Sequence, residues 1–147
     1  MIYDIDIKNI VKPMKRIIFA IILLATAVSC KKEDDIDEIF VGHNWKLSFI
    51  QEGSLKKGAD KGYGIIFQEK TFNATLPGGN SINGYWEANG DTRQFHCTDV
   101  RANGNLEGDE TAEKILRILT NAKEYDGTTT WLQIKEKKNS YIQFHNR

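Results

Sequence analysis

Cysteine and proline are scarce in this chain, and neither sign of charge dominates. Among 147 residues there are two cysteines, two prolines, 20 basic residues and 20 acidic residues. No heptad pattern and no repeat of about 20–50 residues occurs, which argues against coiled-coil and solenoid architectures. No basic stripe follows any segment, so we expect no nucleic-acid partner. Because proline is scarce, glycine and asparagine carry most of the turns.

The long apolar run of a membrane-spanning helix is also missing, although a shorter one lies near the N-terminus. Ile17 to Val28 supplies twelve largely apolar residues directly after Lys15 and Arg16. A spanning helix needs about 20 such residues, whereas a basic start and an apolar stretch of about 7–15 residues are typical of a secretory signal. We therefore predict that residues 1–29 are a signal peptide whose true start is Met14.

Cys30 ends this segment and resembles the lipidated cysteine of bacterial lipoproteins. The small residues Ala27 and Ser29 lie just before it, as in a lipobox. Processing at such a site attaches several acyl chains, and each buried CH₂ group contributes about 0.8 kcal/mol to anchoring. We expect a lipid-anchored mature chain of 118 residues with 16 basic and 18 acidic side chains, a net charge of −2.

The residues after Cys30 resemble a second targeting signal, in addition to the signal peptide. Lys32, Glu33 and Asp34 resemble the export signal of surface lipoproteins, a lysine followed by two acids. A solvated tether that keeps the domain off the membrane is the alternative. We expect an outer-membrane lipoprotein at the cell surface, or alternatively one facing the periplasm. Residues 30–38 are interpreted as a charged tether and residues 39–147 as a single domain.

Alternation of apolar and polar residues predicts a series of short strands in this domain. Glycine- and asparagine-rich turns separate them, and Asn89-Gly90 has the strongest hairpin signature. The predicted strands cover residues 45–49, 63–69, 71–76, 84–88, 93–99, 130–135 and 140–145. Because short turns join successive strands, neighbours should pair antiparallel.

One amphipathic helix interrupts the strands. Asp109 is a suitable N-cap, and acidic residues follow it in the first turn. The apolar stripe of this helix consists of Ala112, Ile115, Leu116, Leu119 and Ala122. Such a stripe must be buried against a sheet. We therefore predict an α+β fold in which one helix packs on a strongly curved antiparallel β-sheet, or partial barrel.

This order of elements resembles the META/HslJ-like family of small secreted or lipid-anchored bacterial domains, over roughly residues 40–146. The residues that carry the resemblance are Trp45-Lys46-Leu47, Ile66-Phe67 with Phe72, Asn80 with Gly84 and Trp86, helix residues 113–119, Leu132 and residues 142–144. Gly79 stands where many members have cysteine, so the resemblance does not imply a family-type disulfide. The resemblance implies a fold and no reaction, and a lipocalin-like small barrel is the alternative.

Recognisable catalytic and metal-binding motifs are missing from the sequence. His43, His96 and His145 lie far apart, and none has a second ligand at metal-site spacing. No nucleophile elbow, P-loop or dinucleotide-binding glycine motif occurs. Cys97 adjoins His96, but adjacent strand residues point to opposite faces, so we interpret Cys97 as a packing residue. We expect no enzymatic activity, no cofactor and no metal.

Aromatic residues remain as candidates for binding. Tyr85, Trp86, Trp131 and Tyr141 all lie in predicted strands. Because Tyr85 and Trp86 are adjacent, alternation turns one of them outward, and the same argument applies to the other two beside their apolar neighbours. Exposed aromatic rings stack on sugars or anchor a protein partner. Covering the end of the sheet is the structural alternative.

Three functional hypotheses follow from these patterns. The leading one is a non-enzymatic, lipid-anchored envelope protein that binds a protein partner or supports the envelope. The first alternative is a lipocalin-like surface lipoprotein that binds a small molecule or a glycan. The second alternative is an inhibitor or immunity-type protein, which would bind an enzyme tightly and stoichiometrically.

Overall fold

The computed structural model describes residues 34–58 and 61–146. The predicted signal peptide, Cys30, Lys32 and Glu33 lie outside these residues. The described elements are α1 (Ile36–Phe40), β1 (Trp45–Glu52), β2 (Leu55–Gly58), β3 (Gly64–Phe67), β4 (Thr71–Thr75), a short 3₁₀ turn (Pro77–Gly79), β5 (Ser81–Ala88), β6 (Phe95–Asn103), α2 (Glu110–Thr120), β7 (Glu124–Gly127), β8 (Trp131–Lys137) and β9 (Ser140–Asn146).

The strands form one antiparallel sheet that curls back on itself. Its order is β6-β5-β4-β3-β1-β9-β8-β7, and β2 pairs with β1 outside this path. The curl brings the two end strands together, since the amide of Phe95 donates to the carbonyl of Lys123 at 3.0 Å and that of Tyr125 donates to the carbonyl of Arg93 at 3.0 Å. Sheet twist accumulates over many strands and produces this shape. The predicted α+β fold, a curved sheet with one main helix, is confirmed.

Phe40 lies at the centre of the core. Its side chain has no exposed surface. The ring centroids of Trp86, Phe67, Tyr125 and Phe95 lie 4.7, 5.1, 5.1 and 5.4 Å from that of Phe40. Helix α1 is only five residues long, but its Phe40 side chain contacts aromatic residues from four strands.

Helix α2 covers the sheet much as its sequence pattern predicts. The Asp109 carboxylate caps it by accepting a hydrogen bond from the amide of Ala112 at 3.0 Å. Ala112, Ile115 and Leu119 are buried as expected, but Leu116 is only half-buried and Ile118 is fully buried. The apolar face is therefore centred nearer Ile118 than the predicted stripe.

Contacts of the domain extend at least to Asp34, within residues 30–38 that were interpreted as a charged tether. The Asp34 carboxylate accepts a hydrogen bond from the Tyr125 hydroxyl at 2.8 Å and lies 3.2 Å from Nε of Arg93. Its amide donates to the carbonyl of Gly90 at 3.2 Å. Residues 30–38 are charged and lack apolar periodicity, which is typical of a tether. The Asp34 carboxylate nevertheless has defined partners in Tyr125 and Arg93.

Three elements were not predicted, namely α1, β2 and β7, and one turn prediction was wrong. Asn89-Gly90 does not form a two-residue hairpin turn, because the loop extends to Gln94 before β6 begins. The Asn89 side chain accepts hydrogen bonds from the amides of Asp91 and Thr92 at 2.9 and 3.0 Å. Arg93 then adopts a left-handed conformation with φ of 60°. This asparagine-centred turn competes with the tighter one.

Ion pairs fasten helix α2 to the β1 and β8 strands. The Glu52 carboxylate contacts Nη2 of Arg117 at 2.5 Å and Nζ of Lys114 at 3.0 Å. The same guanidinium lies 3.3 Å from the carboxylate of Glu136. Hydrogen bonds from Arg117 and then from Lys114 lower the pKa of Glu52 below its ordinary value of 4.5.

Acid is expected to weaken this attachment. A carboxylate with a depressed pKa stabilises the fold above its unfolded pKa, and this contribution disappears as pH falls through the folded pKa. Between about pH 5 and pH 3, the unfolding free energy should therefore fall more steeply for the wild type than for Glu52→Gln. Urea titrations across this range measure the slopes, with Glu87→Gln as the control at an exposed carboxylate. Equal slopes for the wild type and Glu52→Gln would contradict the prediction.

Candidate functional site

An open groove lies on the outer face of the sheet, opposite the core. It spans β3 to β6 and has a volume of about 640 Å³. Ile66 pairs with Asn73, Asn73 with Asn83, and Asn83 with Arg101. Directly opposite residues in neighbouring strands have Cβ atoms about 4.5–5.5 Å apart on the same face. These four side chains therefore form a continuous line across four strands, which we call the cross-strand row.

Tyr85 stands beside the cross-strand row. It lies two residues after Asn83 on β5, and its side chain is 52% exposed. Ile66, at the other end of the groove, is 41% exposed. Both side chains therefore present apolar or aromatic surface to solvent within the groove. A second open groove, with a volume of about 660 Å³, lies on the other side of Tyr85.

A β-bulge shapes the floor of the groove. The β5–β6 register shifts between Asn83 and Tyr85, so Gly84 faces two residues of β6 instead of one. One of these is Asp99, which has a left-handed φ of 50°. A Cβ on Gly84 would lie 2.8 Å from the Phe72 ring and 2.9 Å from a backbone oxygen. Bulges re-aim side chains, and here the bulge turns the Asp99 carboxylate to line both open grooves.

Polar groups of the groove are available to a ligand. Among the residues that the structure describes, the Asn73 amide, the Asp99 carboxylate, the Arg101 guanidinium and the Tyr85 hydroxyl have no hydrogen-bond or ion-pair partner. The Asn83 side-chain amide donates a long hydrogen bond to Oγ of Ser81 at 3.4 Å. One positive and one negative group stand among neutral amides, so the groove carries no net charge.

The structure separates the four predicted aromatic candidates. Tyr85 faces outward, while Trp86 is 5% exposed and its indole donates to the carbonyl of Gln68 at 2.8 Å. Trp131 and Tyr141 are half-buried on β8 and β9. Neither of these two residues lines the groove. Trp86 belongs to the core, and Tyr85 alone lines the groove.

Sequence reasoning missed the rest of the groove. The alternation of apolar and polar residues in β3 and β4 is sufficient to predict that Ile66 and Asn73 face outward. Alternation does not predict that these residues lie in line with Asn83 and Arg101, because that alignment depends on the register in which the strands pair. Nor could it find the Asp99 bulge, because an extra residue in one strand leaves no mark on local alternation.

Cys97 is a packing residue. It lies opposite Trp86 across β5 and β6. Burial raises the pKa of its thiol to about 12, so the thiol stays protonated at neutral pH. The described ranges contain no group of three or more His, Cys, Asp or Glu residues that could hold a metal ion.

Two of the histidines, His43 and His145, have structural partners. The two ring nitrogens of His43 lie 2.8 Å from the carbonyl of Glu38 and 2.7 Å from the amide of Asn146. His145 pairs with Ser48 through Nδ1 and Oγ, 2.5 Å apart. In residues 34–58 and 61–146, no helix is both long and apolar enough to span a membrane.

Comparison with known proteins corrects the expected family. None of the curated proteins matches the chain significantly. A crystal structure of a DUF4847 family protein from Bacteroides vulgatus is similar at 22% identity, with a TM-score of 0.59, over 75% of this chain and 96% of that one. At this identity, the likeness shows the fold alone.

The sequence match settles the family. Residues 31–146 match the family described as "Domain of unknown function (DUF4847)". The resemblance to the META/HslJ-like family was therefore wrong. The residues that carried it are mainly turn and core residues, which different curled antiparallel sheets need alike. By this match over most of its length, the chain belongs to the DUF4847 family.

Proposed function

We propose that this protein is a lipid-anchored envelope protein whose domain binds an extracellular ligand through the open groove, without catalysing a reaction. The observation that carries the proposal is the cross-strand row beside exposed Tyr85. The Asn73 amide, the Arg101 guanidinium and the Tyr85 hydroxyl have no partner among the described residues, and Asn83 has one long hydrogen bond to Ser81. A groove with a few convergent polar groups and an exposed ring suits binding.

The N-terminal sequence supports anchoring at Cys30. Only three residues, Lys31, Lys32 and Glu33, separate Cys30 from Asp34. Asp34 is already held by the Tyr125 hydroxyl and by the guanidinium of Arg93. A lipid on Cys30 would therefore restrain a folded domain through a very short linker.

The chemistry of the groove supports binding without catalysis. A nucleophile or general base needs a partner that activates it. The Asp99 carboxylate is the acidic group at the cross-strand row, and the Asn amides neither donate nor accept protons in acid–base steps. The groove is also open to water, which weakens electrostatic stabilisation of a transition state.

Protease shaving of intact cells tests the location. We expect the wild-type domain to be digested and a Lys32→Ala/Glu33→Ala variant to be protected, because the lysine–acid motif is proposed to direct export. Asp34 is left unchanged in this variant, since it also holds Tyr125 and its loss would confuse misfolding with misrouting. A Lys56→Ala/Lys57→Ala variant is the control, because these exposed lysines lie on β2.

The outcomes separate the two faces of the membrane. Digestion of the wild type and the control, with protection of the export variant, supports a surface protein. Protection of all three chains would contradict surface export and place the domain in the periplasm. Digestion of all three would show that Lys32 and Glu33 are not an export signal.

A further inference from the structure

Tyr85 offers a flat surface at the boundary between two open grooves. Its ring is 52% exposed and lines both of them. An aromatic ring provides an apolar face and, in tyrosine, a polar edge. A ligand that places an apolar face on the ring and polar groups around it suits this position.

The cross-strand row contains both hydrogen-bond donors and hydrogen-bond acceptors. Each asparagine amide presents two N–H donors and a carbonyl acceptor, and Arg101 adds donors in a planar fork. The Asp99 carboxylate is an acceptor on the same side. A hydroxyl group is both a donor and an acceptor, so a ligand rich in hydroxyl groups can satisfy this mixed set.

The charge of the groove argues against polyanions. Arg101 is balanced by Asp99, and the neighbouring groups are neutral amides. Recognition of phosphate or sulfate relies on clusters of arginine and lysine. A polyanion placed here would meet the Asp99 carboxylate without a second cation to offset it.

The shape of the groove argues against a protein anchor. Protein hot spots are well-packed pockets that exclude water around an aromatic or arginine side chain. Here the side chains of Ile66 and Tyr85 stand at separate parts of an open groove and do not form one enclosed pocket. A long ligand that runs across strands and contacts each in turn fits the row better.

From these observations we infer that the groove binds a neutral glycan chain. One sugar ring stacks on Tyr85. Neighbouring sugars donate to and accept from the Asn73 and Asn83 amides, and they accept from the Arg101 guanidinium. This inference deepens the proposed function and rests on it, because the glycan is the ligand of the same groove.

A glycan microarray tests the inference. The full-length chain is purified in lauryldimethylamine oxide, since detergents with sugar headgroups would compete for the groove. The array carries neutral, sulfated and sialylated glycans. We expect binding to neutral glycans that weakens at least about tenfold in Tyr85→Ala and in Asn73→Ala.

Two matched variants separate stacking from misfolding. Tyr85→Phe keeps the stacking ring and removes only the hydroxyl, so it should lose clearly less binding than Tyr85→Ala. Tyr141→Ala removes a tyrosine from β9, outside the groove, and should leave binding unchanged. Thermal melts of each variant report whether the fold is retained.

Three results would overturn the inference. They are silence on all neutral glycans, binding confined to sulfated or sialylated glycans, and equal binding by the wild type and a folded Tyr85→Ala variant. Silence together with a Tyr85-dependent cross-link to an envelope protein would identify a protein ligand instead. None of these results bears on protease shaving, so failure of the glycan inference is distinguishable from failure of surface anchoring.

Discussion

Replacing Phe40 with alanine is expected to lower the free energy of unfolding by about 3–5 kcal/mol. Phe40 is fully buried, and its ring meets Phe67, Trp86, Phe95 and Tyr125. The substitution removes these contacts and leaves a cavity that a rigid sheet fills only partially. Domains are typically stable by about 5–15 kcal/mol, so such a loss is a large share of the total.

Denaturant unfolding followed by tryptophan fluorescence measures this effect, because Trp45 and Trp86 are buried. Ile66→Ala is the matched control, since Ile66 is an apolar residue that is 41% exposed. The control should change stability by no more than about 0.5 kcal/mol. A Phe40→Ala loss below about 1 kcal/mol would contradict the central position of α1 in the core.

Replacing Cys30 with serine is expected to abolish lipid attachment and remove the protein from the outer-membrane fraction. The thioether to a diacylglycerol requires the cysteine sulfur, and serine cannot supply it. Each lost CH₂ group removes about 0.8 kcal/mol of anchoring, so the loss of whole acyl chains is decisive. Labelling cells with an alkyne-bearing fatty acid, followed by membrane fractionation, measures both effects.

Cys97→Ser controls for this substitution. Cys97 is the cysteine of the described domain, and it lies in β6 opposite Trp86. The control should retain the fatty-acid label and the membrane location of the wild type. A labelled Cys30→Ser chain would show that lipid is attached elsewhere, which would contradict the lipobox interpretation.

Local patterns predicted the fold where an element buries one face. Helix α2 has a cap at Asp109 and an apolar stripe, and strands such as β4 alternate between buried and exposed residues. In contrast, all four residues of β2 are exposed, so no alternation marks it. Strand β7 places Tyr125 in the core but is short and charged, and its pairing with β8 is a tertiary effect.

The boundary of the domain depended on partners distant in sequence. Helix α1 has a cap at Asp35, which accepts from the amide of Glu38 at 3.1 Å. The sequence did not predict this helix, because the cap lies among several acidic residues that are typical of a solvated linker. Tyr125 and Arg93, which hold Asp34, lie far along the chain and give no local signal.

The candidate site was predicted only in part. Alternation identified that either Tyr85 or Trp86 faces outward, and burial assigns that role to Tyr85. The cross-strand row needs the register of four strands, and a one-residue slip would turn its side chains to the other face. The Asp99 bulge adds such a shift inside one pair of strands. A single sequence holds too little information to place it.

Intact mass spectrometry of the protein extracted from its native membrane would show directly whether Cys30 carries a lipid. We propose that this lipid anchors a folded, ligand-binding domain whose contacts extend at least to Asp34. We expect a mature chain that starts at Cys30, with the added mass of a diacylglycerol and an acyl group on that residue. A chain with another N-terminus, or one that starts at Cys30 without added lipid, would contradict this expectation.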